Sequence, residues 1–70
     1  MQIFVRLTNG STITIEINPT DTIKKLKTAI QNKIKAPHGL YKLIHKQKYM
    51  SDEDTLDYYN VQQYDTIHLT

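Results

Sequence analysis

No cysteine occurs in this chain of 70 residues, so neither a disulfide nor a thiolate–zinc site can staple it. That matters because a single core is near its lower limit below roughly 70–80 residues. The domain must rely on packing, and a reducing, cytoplasmic or nuclear setting is the default expectation. No apolar run approaches the ~20 residues a membrane span needs. Met1 leads into an alternating segment, not into the basic and apolar regions of a signal peptide, so a soluble protein without membrane partners is expected. With only two glycines there is no glycine-rich phosphate loop. Ser11, Ser51 and the histidines form no triad-like pattern, and no acid pair has a cleft to sit in. His38, His45 and His68 lack metal-ligand spacing, and His45 and His68 read as ordinary strand residues. No catalytic residue, metal or cofactor is therefore expected. Repeats, low-complexity segments and linkers are also missing, which leaves one domain over residues 1–70.

Acid is missing from a long stretch. All eight lysines fall between Lys24 and Lys48, where no Asp or Glu occurs, and five of the seven acids follow. The net charge is only +2, so the asymmetry concerns surfaces and is no sign of a nucleic-acid tail. Five lysines on or beside one segment still make nucleic-acid binding an alternative from another class. A steep loss of binding with salt would be its mark, but no recognised module is present and a basic helix face is usually just solvated.

What the chain does contain begins with alternation. Ile3, Val5 and Leu7, then Ile13, Ile15 and Ile17, are separated by Gln2, Arg6, Thr12, Thr14 and Glu16, the period of two that marks half-buried strands. Asn9-Gly10 between them predicts a hairpin turn, because these residues reach positive φ at low cost. Pro19 and its neighbours end the second strand. Thr22 then offers an N-cap, with Asp21 just outside. Ile23, Leu26, Ile30 and Ile34 form an apolar stripe that predicts a helix over Ile23–Ile34. Ala36-Pro37 stops it. A short strand over Tyr41–His45 with Leu43 inward, a turn at Lys46-Gln47 and a strand stub over Lys48–Met50 follow. One helical turn is expected over Thr55–Tyr59, and a last strand over Thr66–Thr70 with Ile67 and Leu69 inward. Two hairpin strands, a crossover helix and returning strands make an α+β roll with a right-handed crossover.

At this point the chain resembles the ubiquitin family. The similarity runs without a gap over the whole length. It includes Met1-Gln-Ile-Phe-Val5, Thr12-Ile-Thr14, Asp21-Thr-Ile23, Leu43-Ile44, Thr55-Leu56, Tyr59-Asn60, Gln62 and His68-Leu69, with Gly10, Pro19, Lys27, Lys48 and Asp52 in register. The resemblance implies the β-grasp fold, with a mixed sheet in the order 2-1-5-3-4 and the helix across one face. It also implies a buried pair between Lys27 and Asp52. The alternative is that Lys27, a charge on the apolar stripe, snorkels to the edge.

Strand parity predicts an outer face with Ile44 at its centre, ringed by Arg6, Lys42, Lys48 and His68. The resemblance implies that this face is a recognition patch for protein partners, such as receptors or enzymes of the ubiquitin pathway, and that Phe4 belongs to a smaller one. Thr8 and Thr70 stand where the patch carries aliphatic side chains, so general receptors should bind less tightly. A basic ring suits partners with an acidic rim. Lys48 is also a candidate isopeptide acceptor. Conjugated members need a flexible tail ending in two glycines, and the sequence stops at Thr70, so an interaction domain acting as a monomer is expected ahead of a modifier. Other departures are Lys35, where the family commonly ends the helix with glycine, Lys46-Gln47 in place of a glycine-containing turn, and Leu40-Tyr41 and His45 in the strand beside Ile44.

Overall fold

The structure is a computed structural model and describes residues 1–34 and 42–70. The helix terminator at Lys35, the Ala36-Pro37 loop with His38, and Leu40-Tyr41 fall outside that range. Strand β1 covers Gln2–Arg6 and β2 covers Thr12–Glu16; helix α1 spans Ile23–Ile34. Short strands β3 (Leu43–His45) and β4 (Lys48–Tyr49), a 3-10 turn at Asp57–Tyr59, and β5 (Thr66–Leu69) complete the chain. The sheet runs β2-β1-β5-β3-β4, antiparallel throughout except for the central β1–β5 pair.

The opening hairpin turns at Asn9-Gly10, but only Gly10 of the two takes positive φ. The Gly10 amide donates to the Leu7 carbonyl at 3.1 Å and the Leu7 amide to the Ser11 carbonyl at 2.7 Å, giving a three-residue loop, Thr8-Asn9-Gly10. Gly10 takes the positive φ, 91°, and Asn9 instead accepts the Ser11 amide on its side chain. This is the type I turn with a glycine bulge, in which one left-handed residue suffices.

Helix α1 begins as its cap predicts: Thr22 Oγ1 accepts the Lys25 amide at 3.3 Å. Its first amides would otherwise lack partners. The segment after β4 supplies them, with the Ile23 amide donating to the Asp54 carbonyl and the Lys24 amide to that of Asp52. Leu56 and Asp57 amides donate back to Asp21 and Pro19 carbonyls, so residues 51–57 are laced to the start of the helix. Tyr59 locks this lacing: its hydroxyl donates to Asp54 and accepts the Ser51 amide, at 2.7 and 2.8 Å.

The core joins the helix stripe Ile23, Leu26 and Ile30 to Ile3, Val5, Ile15, Leu43 and Ile67 from the sheet, with Leu56 and Val61 from the loops. Ile13, Leu69 and Ile34 are only partly buried at its edges. Three strand ends shorten, β3 beginning only at Leu43. β4 stops at Tyr49, though Met50 is buried and its amide still reaches the Leu43 carbonyl. β5 stops at Leu69, with Thr70 and Lys42 continuing the ladder by exchanging both backbone hydrogen bonds. No described helix is long and apolar enough to cross a membrane.

The β3–β4 turn, Lys46-Gln47, holds both residues in the left-handed region, at φ 51° and 66°. A two-residue hairpin loop requires this, and side chains other than Gly, Asn or Asp adopt it at a cost. Gln47→Gly is therefore expected to stabilise the domain by about 1 kcal/mol, read as a higher urea midpoint at constant slope.

Candidate functional site

Cross-strand pairing assembles the outer face of the sheet. Thr12 pairs with Arg6, Arg6 with His68, His68 with Ile44, and Ile44 with Tyr49, a single row across all five strands. Beside it run a second row, Thr14–Phe4–Thr66, and the Lys42–Thr70 pair. Arg6, His68, Lys42 and Thr70 are exposed, Ile44 and Phe4 are half-buried, and Thr8 is exposed in the hairpin loop next to Leu7, which turns toward the core.

Lys48 does not join this face. It pairs with His45, whereas Ile44 pairs with Tyr49, so the pleat sends Lys48 to the opposite side from Ile44. The ring drawn around Ile44 is thereby corrected. Its place is taken by Tyr49, 60 % exposed, with Lys42 Nζ 5.2 Å from its ring centroid. The alternation that buries Met50 already required Tyr49 to face outward, which is the signal that identifies it. At the other end Phe4 stacks on Tyr64, with ring centroids 6.2 Å apart and planes 21° from parallel. Tyr64 sits at φ 69° in a loop, held by its amide donating to Gln2, and no sequence period points to it. The face thus carries threonines at five positions and draws its apolar area from Ile44 and three aromatic rings. Tyrosine couples such area to a polar tip and few rotors, which suits recognition.

The Lys27–Asp52 pair forms, with Nζ to Oδ1 at 2.6 Å, but the side chains are 24 % and 47 % exposed. A fully buried pair is therefore corrected to one at the core's rim, because Asp52 stands on the loop that caps the helix and opens to water. Asp52→Ala is expected to lower stability by about 1 kcal/mol or less in urea titrations. Lys27→Met, which keeps the packed stem, should be better tolerated than Lys27→Ala. A loss of about 3 kcal/mol or more on Asp52→Ala would show the pair behaving as a buried one.

His45, expected to be an ordinary strand residue, is buried to 4 % exposure, with Nε2 3.0 Å from Asp65 Oδ2. It shares the inward side of β3 with Leu43, and a polar ring there needs a partner. Asp65 is fixed from several directions. Its carboxylate accepts the Gln62 amide at 2.9 Å, and its carbonyl accepts the Phe4 amide, also at 2.9 Å. The Gln62 hydrogen bond, aided by His45 and opposed by partial burial, holds the Asp65 carboxyl below the usual carboxylate range. An ionised carboxylate only accepts, so the proton between the two sits on His45 Nε2.

Strand order, the single crossed helix and an outer sheet face of threonine, basic and aromatic residues define a β-grasp domain. The sequence matches the ubiquitin family model over residues 3–70, and the chain belongs to that family. It is 39 % identical over 64 residues to the E3 ubiquitin-protein ligase UPL5 of Arabidopsis thaliana, a match covering 90 % of this chain but 7 % of that protein. The NEDD8-like protein RUB3 of the same plant is 32 % identical over 69 residues, covering 99 % of this chain and 88 % of its own length. The ubiquitin-like protein NEDD8 of Dictyostelium discoideum is also 32 % identical over 69 residues, 99 % of this chain and 90 % of its own.

Proposed function

We propose that this ubiquitin-like domain is a non-catalytic recognition module that presents the outer sheet face, centred on Ile44, to protein partners of the ubiquitin pathway in the cytoplasm or nucleus. The observation that carries the reading is the Arg6–His68–Ile44–Tyr49 row, which sets an aliphatic centre between basic and aromatic neighbours on adjacent strands. Titration of a ubiquitin receptor domain into the 15N-labelled protein tests it. Amide shifts are expected along the row, and Ile44→Ala should weaken affinity about tenfold or more with the fold retained. Unchanged affinity in Ile44→Ala, with loss in Phe4→Ala, would move the site to the Phe4–Tyr64 end.

A second reading, a ubiquitin-like modifier, is supported by the near full-length similarity to the two NEDD8-like proteins. A coding sequence that continues past Thr70 to two terminal glycines would favour it over the first. In that role Lys48, exposed on β4, is the candidate isopeptide acceptor.

A further inference from the structure

On the other side of the β3–β4 hairpin from Ile44 lies a groove of about 320 Å3, lined by His45, Lys46, Lys48, Tyr58, Tyr59 and Asn60. No carboxylate is among these lining residues, and Asp65 and Asp54 beside them are engaged by His45 and the Tyr59 hydroxyl. Its floor is His45, buried and held by Asp65. Its wall is built: Tyr59 is pinned through its hydroxyl to Asp54 and Ser51, and Tyr58 stands edge-on to it, with centroids 5.0 Å apart and planes at 89°. Asn60 is set in the left-handed region, its side chain accepting a hydrogen bond from Gln62. Tyr58 nonetheless leaves 70 % of its surface exposed, the largest value among the exposed large hydrophobic residues of the described chain. The lining thus pairs two exposed lysines with an exposed aromatic ring, chemistry complementary to carboxylates and apolar surface.

The turn adds an independent argument. Lys46 occupies a left-handed position where glycine or asparagine would be more stable. Strain of this kind concentrates at functional positions and is a reason to look for a role in the side chain that bears it.

We propose that this groove docks an acidic peptide segment of a partner protein, its carboxylates meeting Lys46 and Lys48 and an apolar side chain resting on Tyr58. Two cations in one short groove match a peptide better than a nucleic-acid backbone, whose affinity comes from many phosphate contacts. The site is separate from the Ile44 face, so it stands or falls independently of the recognition role given to that face.

The probe is a fluorescein-labelled peptide of alternating glutamate and leucine, followed by anisotropy and by 15N amide shifts of the whole domain. Shifts are expected at residues 45–48 and 58–60. Lys46→Glu with Lys48→Glu should weaken binding about tenfold or more, while Ile44→Ala and the helix pair Lys24→Glu with Lys25→Glu stay within about twofold. Lys46→Gly separates charge from folding: it should raise the melting temperature and weaken binding about threefold or more. Absence of binding, equal weakening by the helix pair, or unchanged affinity in Lys46→Gly would overturn the proposal. So would tighter binding of single-stranded oligothymidylate at the same residues.

Discussion

Ile30→Ala is expected to lower the unfolding free energy by about 2–5 kcal/mol. Ile30 is fully buried in the middle of the helix stripe, between Leu26 and the sheet residues of the core. Removing its outer carbons loses their transfer free energy and leaves a cavity that a close-packed interior fills only in part. At about 0.05–0.15 kcal/mol per residue, a domain of this length has a total stability of about 4–10 kcal/mol. The substitution therefore removes about a fifth or more of what holds the fold, and no disulfide buffers the loss. The higher helix propensity of alanine returns only about 0.4 kcal/mol. Ile34→Ala, at the partly buried end of the same stripe, serves as the internal control and should cost less than half as much. Urea denaturation of both variants reads the difference, and equal losses would mean that the stripe does not pack as the structure has it.

Asp65→Ala should be the next largest effect, a loss of about 1–3 kcal/mol at neutral pH, because it strands the buried His45 Nε2 and frees the Gln62 amide. The pH dependence has a definite sign. A carboxyl whose folded pKa is lowered contributes stability that is fully present above its unfolded pKa, near 4, and is lost as pH falls through the lower folded value. Melting temperatures of the wild type should therefore fall on acidification below about pH 4 more steeply than those of Asp65→Asn. Adding His45→Phe to Asp65→Ala should recover part of the loss, since an apolar ring needs no partner there. Parallel acid limbs in wild type and Asp65→Asn would remove Asp65 from this role.

Much of the architecture was readable in one dimension because its causes are local. Alternation at Ile3–Leu7 and Ile13–Ile17, the Thr22 cap and the stripe from Ile23 to Ile34 each state a periodicity that only one element satisfies. The outer row followed from the same parity, since Arg6, His68 and Ile44 hold outward positions on neighbouring strands. The failures lie where register or loop path decides. Lys48 changed sides because the two-residue turn pairs it with His45, and a shift of one residue sends a side chain to the other face. Tyr64 came onto the face through a left-handed loop residue and a backbone bond to Gln2, neither of which leaves a repeating pattern.

By itself, then, the sequence determined the elements, their order, the faces of the longer strands and the helix, and through these the family. Tertiary structure alone decided that residues 51–57 cap the helix and open the Lys27–Asp52 pair to water. It alone joined His45 to Asp65, at the start of the neighbouring strand, and set Lys46, Lys48 and Tyr58 around one groove. These contacts join residues far apart along the chain, and their geometry depends on how loops close over a finished sheet. Hydrophobic period specifies which side of an element is buried; it carries no information about which polar partner waits there.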